Sequence, residues 1–254
     1  MDDHTAIFLR VLLAFGLAVA GGGISAAVGV SHQRLCALIS LAAGTLLGVT
    51  LFAIVPECRE SMQWWELLVA LASGYVVFVL ISKYVYHVCP ACAASHFDET
   101  TTHRFSEIAG ALIIALGVHS TMDGIALVAG HEGHHHHTDM SMLLAICVHK
   151  IPEGLALGAL LLGAGYPRRR AVVWVALVES TTLLGGLVGW LALSHVSGFW
   201  LNAVLAHAGG GFLFLAMHAV LGELVKHGKA VVLANFAGGV ALIAGLHWVV
   251  DHLP

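Results

Sequence analysis

Eight apolar runs, each near or above the length of a membrane-crossing helix, occupy most of this chain of 254 residues. A spanning helix needs about 20 apolar residues. The runs fall at roughly 6–30, 36–55, 64–82, 107–130, 141–163, 171–193, 199–221 and 230–249. Polar breaks are expected at Ser31–Arg34, Pro56–Glu60, 83–106, His131–Asp139, Tyr166–Arg170, His195–Gly198 and Lys226–Lys229. Only 10% of the residues are charged and 59% are hydrophobic, whereas a soluble domain carries roughly 25% charged residues. Such a chain cannot cover itself with water-compatible side chains. In lipid its backbone must satisfy its own hydrogen bonds, which helices do. The expectation is a single all-α transmembrane domain over 1–254. No basic region followed by a small-residue cleavage site opens the chain, so no cleavable signal peptide is expected.

Charge sets direction. One alternating set of breaks holds Arg34, Lys83, Arg104, Arg168, Arg169, Arg170, Lys226 and Lys229, while the other side holds only Arg10, near the start of the first run, and Arg59. Lysine and arginine accumulate on the cytoplasmic side. Both termini are therefore expected outside the cytoplasm. A formal charge of −4 and the lack of a basic stripe exclude a nucleic-acid partner.

Two of the runs carry ionisable groups in the same pattern. His119-Ser120-Thr121-Met122-Asp123-Gly124 and His149-Lys150-Ile151-Pro152-Glu153-Gly154 both read His-x-x-x-acid-Gly, and both continue apolar-Ala-Leu. A helix puts residues four apart on one face, so each run aims an imidazole and a carboxylate at one point. Ionisable groups inside a membrane are costly and mark ion or substrate paths. Two histidines and two carboxylates form a mixed nitrogen–oxygen set that suits zinc, iron(II), manganese, cobalt or cadmium better than calcium or magnesium. Pro152 frees the carbonyl of Val148 one turn earlier and is expected to kink the helix beside the site.

Lys150 stands among these acids. A buried ammonium must be paired, and Glu153, Asp123 and Glu179 are its candidate partners. Lys150 is read as filling the place of a second cation, which leaves room for one metal and eases its release.

The glycines within the runs are expected to allow close helix packing. A second echo pairs the segment from Leu41 to Glu57 with that from His207 to Glu223; Ala42/Ala208, Gly44/Gly210, Leu47/Leu213, Ala53/Ala219 and Glu57/Glu223 are identical. The two runs cross in opposite senses, as in an inverted-repeat transporter.

The eight spans, the long connection 83–106 and the segment HKIPEG resemble the ZIP (Zrt-, Irt-like protein) family of divalent metal transporters. The resemblance implies a mononuclear or binuclear metal centre between the fourth and fifth spans, lined also by the second, sixth and seventh. It implies import by an elevator-like movement of one helix bundle against another. Ser120 departs from the family's usual asparagine. Lys150 replaces what is, in many members, a ligand of a second metal. In the sixth span either Glu179 or Thr182 faces the site.

The expected architecture is eight spans in an inverted repeat (3+2+3). The expected metal residues are His119, Asp123, His149, Glu153 and Glu179, with Lys150 and Ser120 as substitutes for a second site. The cytoplasmic loop adds a candidate metal cluster of His87, Cys89, Cys92 and His96. The tract from His131 to His137 is read as a collector of metal at the outer mouth. His207 and His218 share a face of the seventh run, as interior or interfacial histidines or, for His207, as part of the path. The expected partners are divalent metal ions, carried as substrate with no catalytic cofactor, and the lipid bilayer. A homodimer is left open. The expected location is the plasma membrane, as a multi-pass protein of the bacterial inner membrane. The rival reading, an intramembrane zinc-dependent hydrolase, lacks the His-Glu-x-x-His signature.

Overall fold

The computed structural model describes residues 3–28, 32–86, 102–132, 136–193, 196–226 and 229–252. Their secondary structure is helical, with no strand among the described residues. The helices are α1 (Asp3–Val28), α2 (His32–Val49), α3 (Val55–Ser61), α4 (Trp64–Leu80), α5 (Thr102–Glu132), α6 (His136–Gly163), α7 (Arg168–Leu193), α8 (Gly198–Lys226) and α9 (Lys229–His252). Among the described residues seven helices are long and apolar enough to cross a membrane, the second formed by α2 and α3 together. These match seven of the eight expected runs. The eighth run lies in α5, whose 31 residues extend about 46 Å at 1.5 Å per residue. Large apolar side chains such as Leu13, Leu68, Leu187 and Leu191 are exposed, which suits lipid as the surrounding solvent. Trp64, Trp65, Trp200 and Trp248 are exposed near helix ends, as interfacial anchors are.

One break is misplaced in the sequence reading. Pro56–Glu60 was expected to separate two spans, yet these residues lie in α3. Ile54 and Val55 are themselves helical, so Pro56 lies inside one continuous helix, where its ring and missing N–H disturb the turn before it. The turn before it, Thr50–Ile54, widens to a π-helix, and the Val55 N–H donates to the Thr50 carbonyl five residues back. The chain instead turns at Met62 and Gln63. There the Gln63 N–H donates to Glu66 Oε2 at 2.7 Å and caps α4. The break at 131–139 is also shorter than expected, because α6 already begins at His136.

The helices form two bundles. In one, α1 packs on α6 and α7, and α5 packs on α6 and α7; in the other, α2 packs on α9 and α8, and α4 on α8; α2 against α6 and α5 against α8 join the two. Each bundle is tied by glycines where two backbones nearly touch. A side-chain carbon at Gly154 would strike the Ala18 carbonyl, and one at Gly21 the Ile151 carbonyl. The same reciprocal contact joins Gly124 and Gly185 to the carbonyls of Thr182 and Thr121. In the second bundle it joins Gly44 and Gly239 to Phe236 and Leu41, and Gly210 and Gly74 to Leu71 and His207. Small residues that let helices approach are the main packing device in lipid, where apolar burial gives no drive. Among the described residues no such contact bridges the bundles. Both sequence echoes contain these contacts: Gly124 and Gly154 are the glycines of the paired motifs, and Gly44 and Gly210 the glycine shared by the two halves of the second echo.

Candidate metal centre

Helices α5 and α6 run side by side within the first bundle and present His119, Ser120 and Asp123 against His149, Lys150 and Glu153, all buried. Their meeting point is Asp123 Oδ2. His149 Nε2 lies 3.2 Å from it and His119 Nε2 3.4 Å. Glu153 Oε1 is 3.9 Å from His119 Nε2. One ligand atom from each of His119, Asp123, His149 and Glu153 lies within 4.8 Å of the others. The registration comes from the glycine contacts one residue beyond each acid, which clamp α5 on α7 and α6 on α1.

The ring nitrogens are oriented for a cation. His149 Nδ1 lies 2.9 Å from the Ala145 carbonyl. A carbonyl only accepts, so Nδ1 carries a proton, and Nε2 is the ring nitrogen turned to the cluster, where it would ligate an ion in place of its own proton. Asp123 Oδ1, His119 Nδ1 and Glu179 Oε1 are buried without a hydrogen-bond partner among the described residues. Buried polar atoms are normally satisfied. Two nitrogen and two oxygen ligands at this spacing fit zinc and its first-row neighbours.

Lys150 occupies the other side of the cluster. Its Nζ lies 2.7 Å from Glu153 Oε2, 2.9 Å from Asp123 Oδ2 and 2.9 Å from Glu179 Oε2, and it donates to Ser120 Oγ at 2.7 Å. All three candidate partners therefore surround it at once. Glu179, from α7, also accepts from Ser120 Oγ at 3.1 Å. It is the α7 residue joined to the cluster. Thr182 is buried too, but its hydroxyl has no hydrogen-bond partner among the described residues and its carbonyl is the contact of Gly124.

The second bundle closes the site with carbon. Phe212 of α8 lies 6.4 Å and 6.3 Å, centroid to centroid, from the rings of His119 and His149, and Phe78 of α4 lies 6.3 Å from His119. This aromatic wall had no signal in the sequence, since a phenylalanine in an apolar run is ordinary. His207 lies away from the cluster, with Nδ1 2.8 Å from Ser73 Oγ on the α4–α8 seam. His218 stacks on Phe214 at 3.9 Å. His87, Cys89, Cys92 and His96 lie outside the described residues, as do His134 and His135.

A bundle of apolar helices around buried histidines and carboxylates defines an integral membrane protein of the ion-handling kind. The chain belongs to the ZIP zinc transporter family, which residues 82–247 match. It is 26% identical to the zinc transporter ZIP9 of Micropogonias undulatus, over 95% of this chain and 92% of that protein. It is 25% identical to the zinc transporter ZIP9-B of Xenopus laevis, over 88% of this chain and 86% of that one. It is 30% identical to the human zinc transporter ZIP10 over 55% of this chain and 16% of the longer relative. Membership makes the chain a multi-pass membrane transporter of metal ions. These relatives are vertebrate proteins and lend no support to the expected bacterial inner membrane.

Proposed function

We propose that the protein imports a divalent transition-metal ion, zinc foremost, across a plasma membrane into the cytoplasm by alternating access. The observation that carries this reading is the set of four ligand atoms, from His119, Asp123, His149 and Glu153, within 4.8 Å of one another in the apolar bundle. These four residues hold the ion. The names of the related zinc transporters favour zinc among the metals this donor set suits.

The direction rests on the lysine and arginine bias, with eight spans and both termini outside the cytoplasm. The 3+2+3 inverted repeat rests on the reciprocal glycine contacts, which recur at the spacings of both sequence echoes. The same contacts support an elevator-like movement. Each bundle is tied internally backbone to backbone, whereas side chains such as Phe78 and Phe212 face the metal-bearing bundle from the other. A packed interface of side chains can re-seat in a second register.

The test is uptake of radioactive zinc into proteoliposomes. Glu153→Ala should abolish uptake while the protein still elutes as a single folded species. Retained uptake in that variant overturns the assignment of the site.

A further inference from the structure

We propose that a cleft between the start of α1 and the end of α7 binds one membrane phospholipid, with an acyl chain along the cleft and an ester or phosphate oxygen on His4. The cleft has a volume of about 440 Å³ and is walled by His4, Phe8 and Val11 of α1 and by Leu183, Leu187 and Trp190 of α7. Its floor is the point where the two helices come closest, since a side-chain carbon at Gly186 would meet the Val11 methyls. Phe8, Leu187 and Trp190 are exposed. The cleft therefore opens sideways into the medium around a spanning bundle, which is lipid.

Its shape is that of one lipid chain in one leaflet. Lining residues recur every three or four positions on both helices, so the cleft runs lengthwise with them, as acyl chains do. From His4 to Val11, and from Leu183 to Trp190, is about 10 Å at 1.5 Å per residue. The apolar half of a bilayer is about 15 Å deep. His4 lies in the first turn of α1 and Trp190 in the last turn of α7, so the mouth sits at the interface, where tryptophans anchor. There the Trp190 indole N–H donates to His4 Nδ1 at 3.0 Å. An indole N–H only donates, so Nδ1 accepts, and the neutral imidazole carries its proton on Nε2, turned away from Trp190. An apolar cleft of nearly leaflet depth with one donor at its mouth complements an alkyl chain beneath an oxygen-bearing headgroup. Apolar burial gives little drive within lipid, so fit and this hydrogen bond set how long the chain stays. The donor is uncharged, so headgroup charge matters little.

The test is native mass spectrometry of the full-length protein, stripped of lipid in detergent and then given palmitoyl-oleoyl phosphatidylcholine. Wild type should retain one more lipid per chain than Leu187→Trp, whose indole fills the cleft from an exposed position and spares the core. His4→Phe keeps a ring but removes the donor, and should lower retention of that lipid about fivefold, the worth of one hydrogen bond. His4→Gln should restore it, because an amide can accept from Trp190 and donate to the lipid. Circular dichroism checks that each variant keeps its helices. Equal retention by wild type and folded Leu187→Trp overturns the site. Equal retention by wild type and His4→Phe overturns the role of His4. Phosphatidylglycerol with the same chains should bind within roughly twofold. A preference for it of roughly tenfold would place the lipid on a cationic surface, such as Arg168 to Arg170 at the other end of α7, and overturns the proposal. A dimer present in wild type and lost in Leu187→Trp would make a second copy of the chain the occupant, which overturns it as well.

Discussion

The two bundles use one packing device and bury opposite chemistry. Both are tied by glycines set against backbone carbonyls, two reciprocal pairs in each. The first bundle buries His119, Asp123, His149, Lys150, Glu153 and Glu179 in a single cluster, whereas the second faces that cluster with Phe78 and Phe212. The buried Glu57 of α3 and Asn202 of α8 belong to a different place; Asn202 Nδ2 donates to Ser61 Oγ where α3 ends. The difference teaches that the four ligands proposed above all belong to one body. An ion held entirely by one bundle can travel with it, because no ligand has to be left behind on the other.

The glycine ties offer the largest way to break this division. Gly154→Leu should force α1 off α6, because its first side-chain carbon already meets the Ala18 backbone. Backbone cannot move aside as a rotamer can, so the cost should exceed the roughly 1–3 kcal/mol of ordinary overpacking. The folded fraction in detergent should collapse. Gly23→Ala, on the same helix pair's open side with nothing within 4 Å, should leave it unchanged or raised. Both are read from the monodisperse fraction on elution.

The aromatic wall sharpens the comparison at intermediate size. Phe212→Ala should leave the zinc count per chain unaltered, since the four proposed ligands all lie in the first bundle. It should change the zinc uptake rate severalfold and lower the unfolding free energy by about 3 kcal/mol, as large-to-small changes in a packed core do. Elemental analysis and uptake on the same preparation separate the two effects. A lost zinc would place a ligand or its support in the second bundle.

The smallest effect is expected on the α4–α8 seam. His207→Ala removes one hydrogen bond, to Ser73 Oγ, worth about 1 kcal/mol. Zinc uptake should stay within twofold of wild type. A loss comparable to that of Glu153→Ala would make His207 part of the ion path.

Much of the centre was legible because a helix has one period. His119 with Asp123, and His149 with Glu153, are four apart, so each pair shares a face whatever lies opposite. Glu179 and Thr182 are three apart on α7 and also share a face, and periodicity alone could not choose between them. The structure joins Glu179 to Lys150 and Ser120. The break at Pro56 misled for a related reason. Proline forbids one hydrogen bond, yet the helix runs on through Pro56 with the preceding turn, Thr50–Ile54, widened to a π-helix.

Apolar length and i,i+4 spacing were enough to specify spanning helices and two faces bearing a histidine and an acid, because each is a property of one segment in its solvent. Which faces meet is a property of pairs. The three carboxylates around Lys150, the phenyl wall and the division into two bundles depend on contacts between segments up to about 200 residues apart, such as Gly44 against Phe236. Such contacts are set by where two backbones can approach most closely. No periodicity along a single helix records that distance.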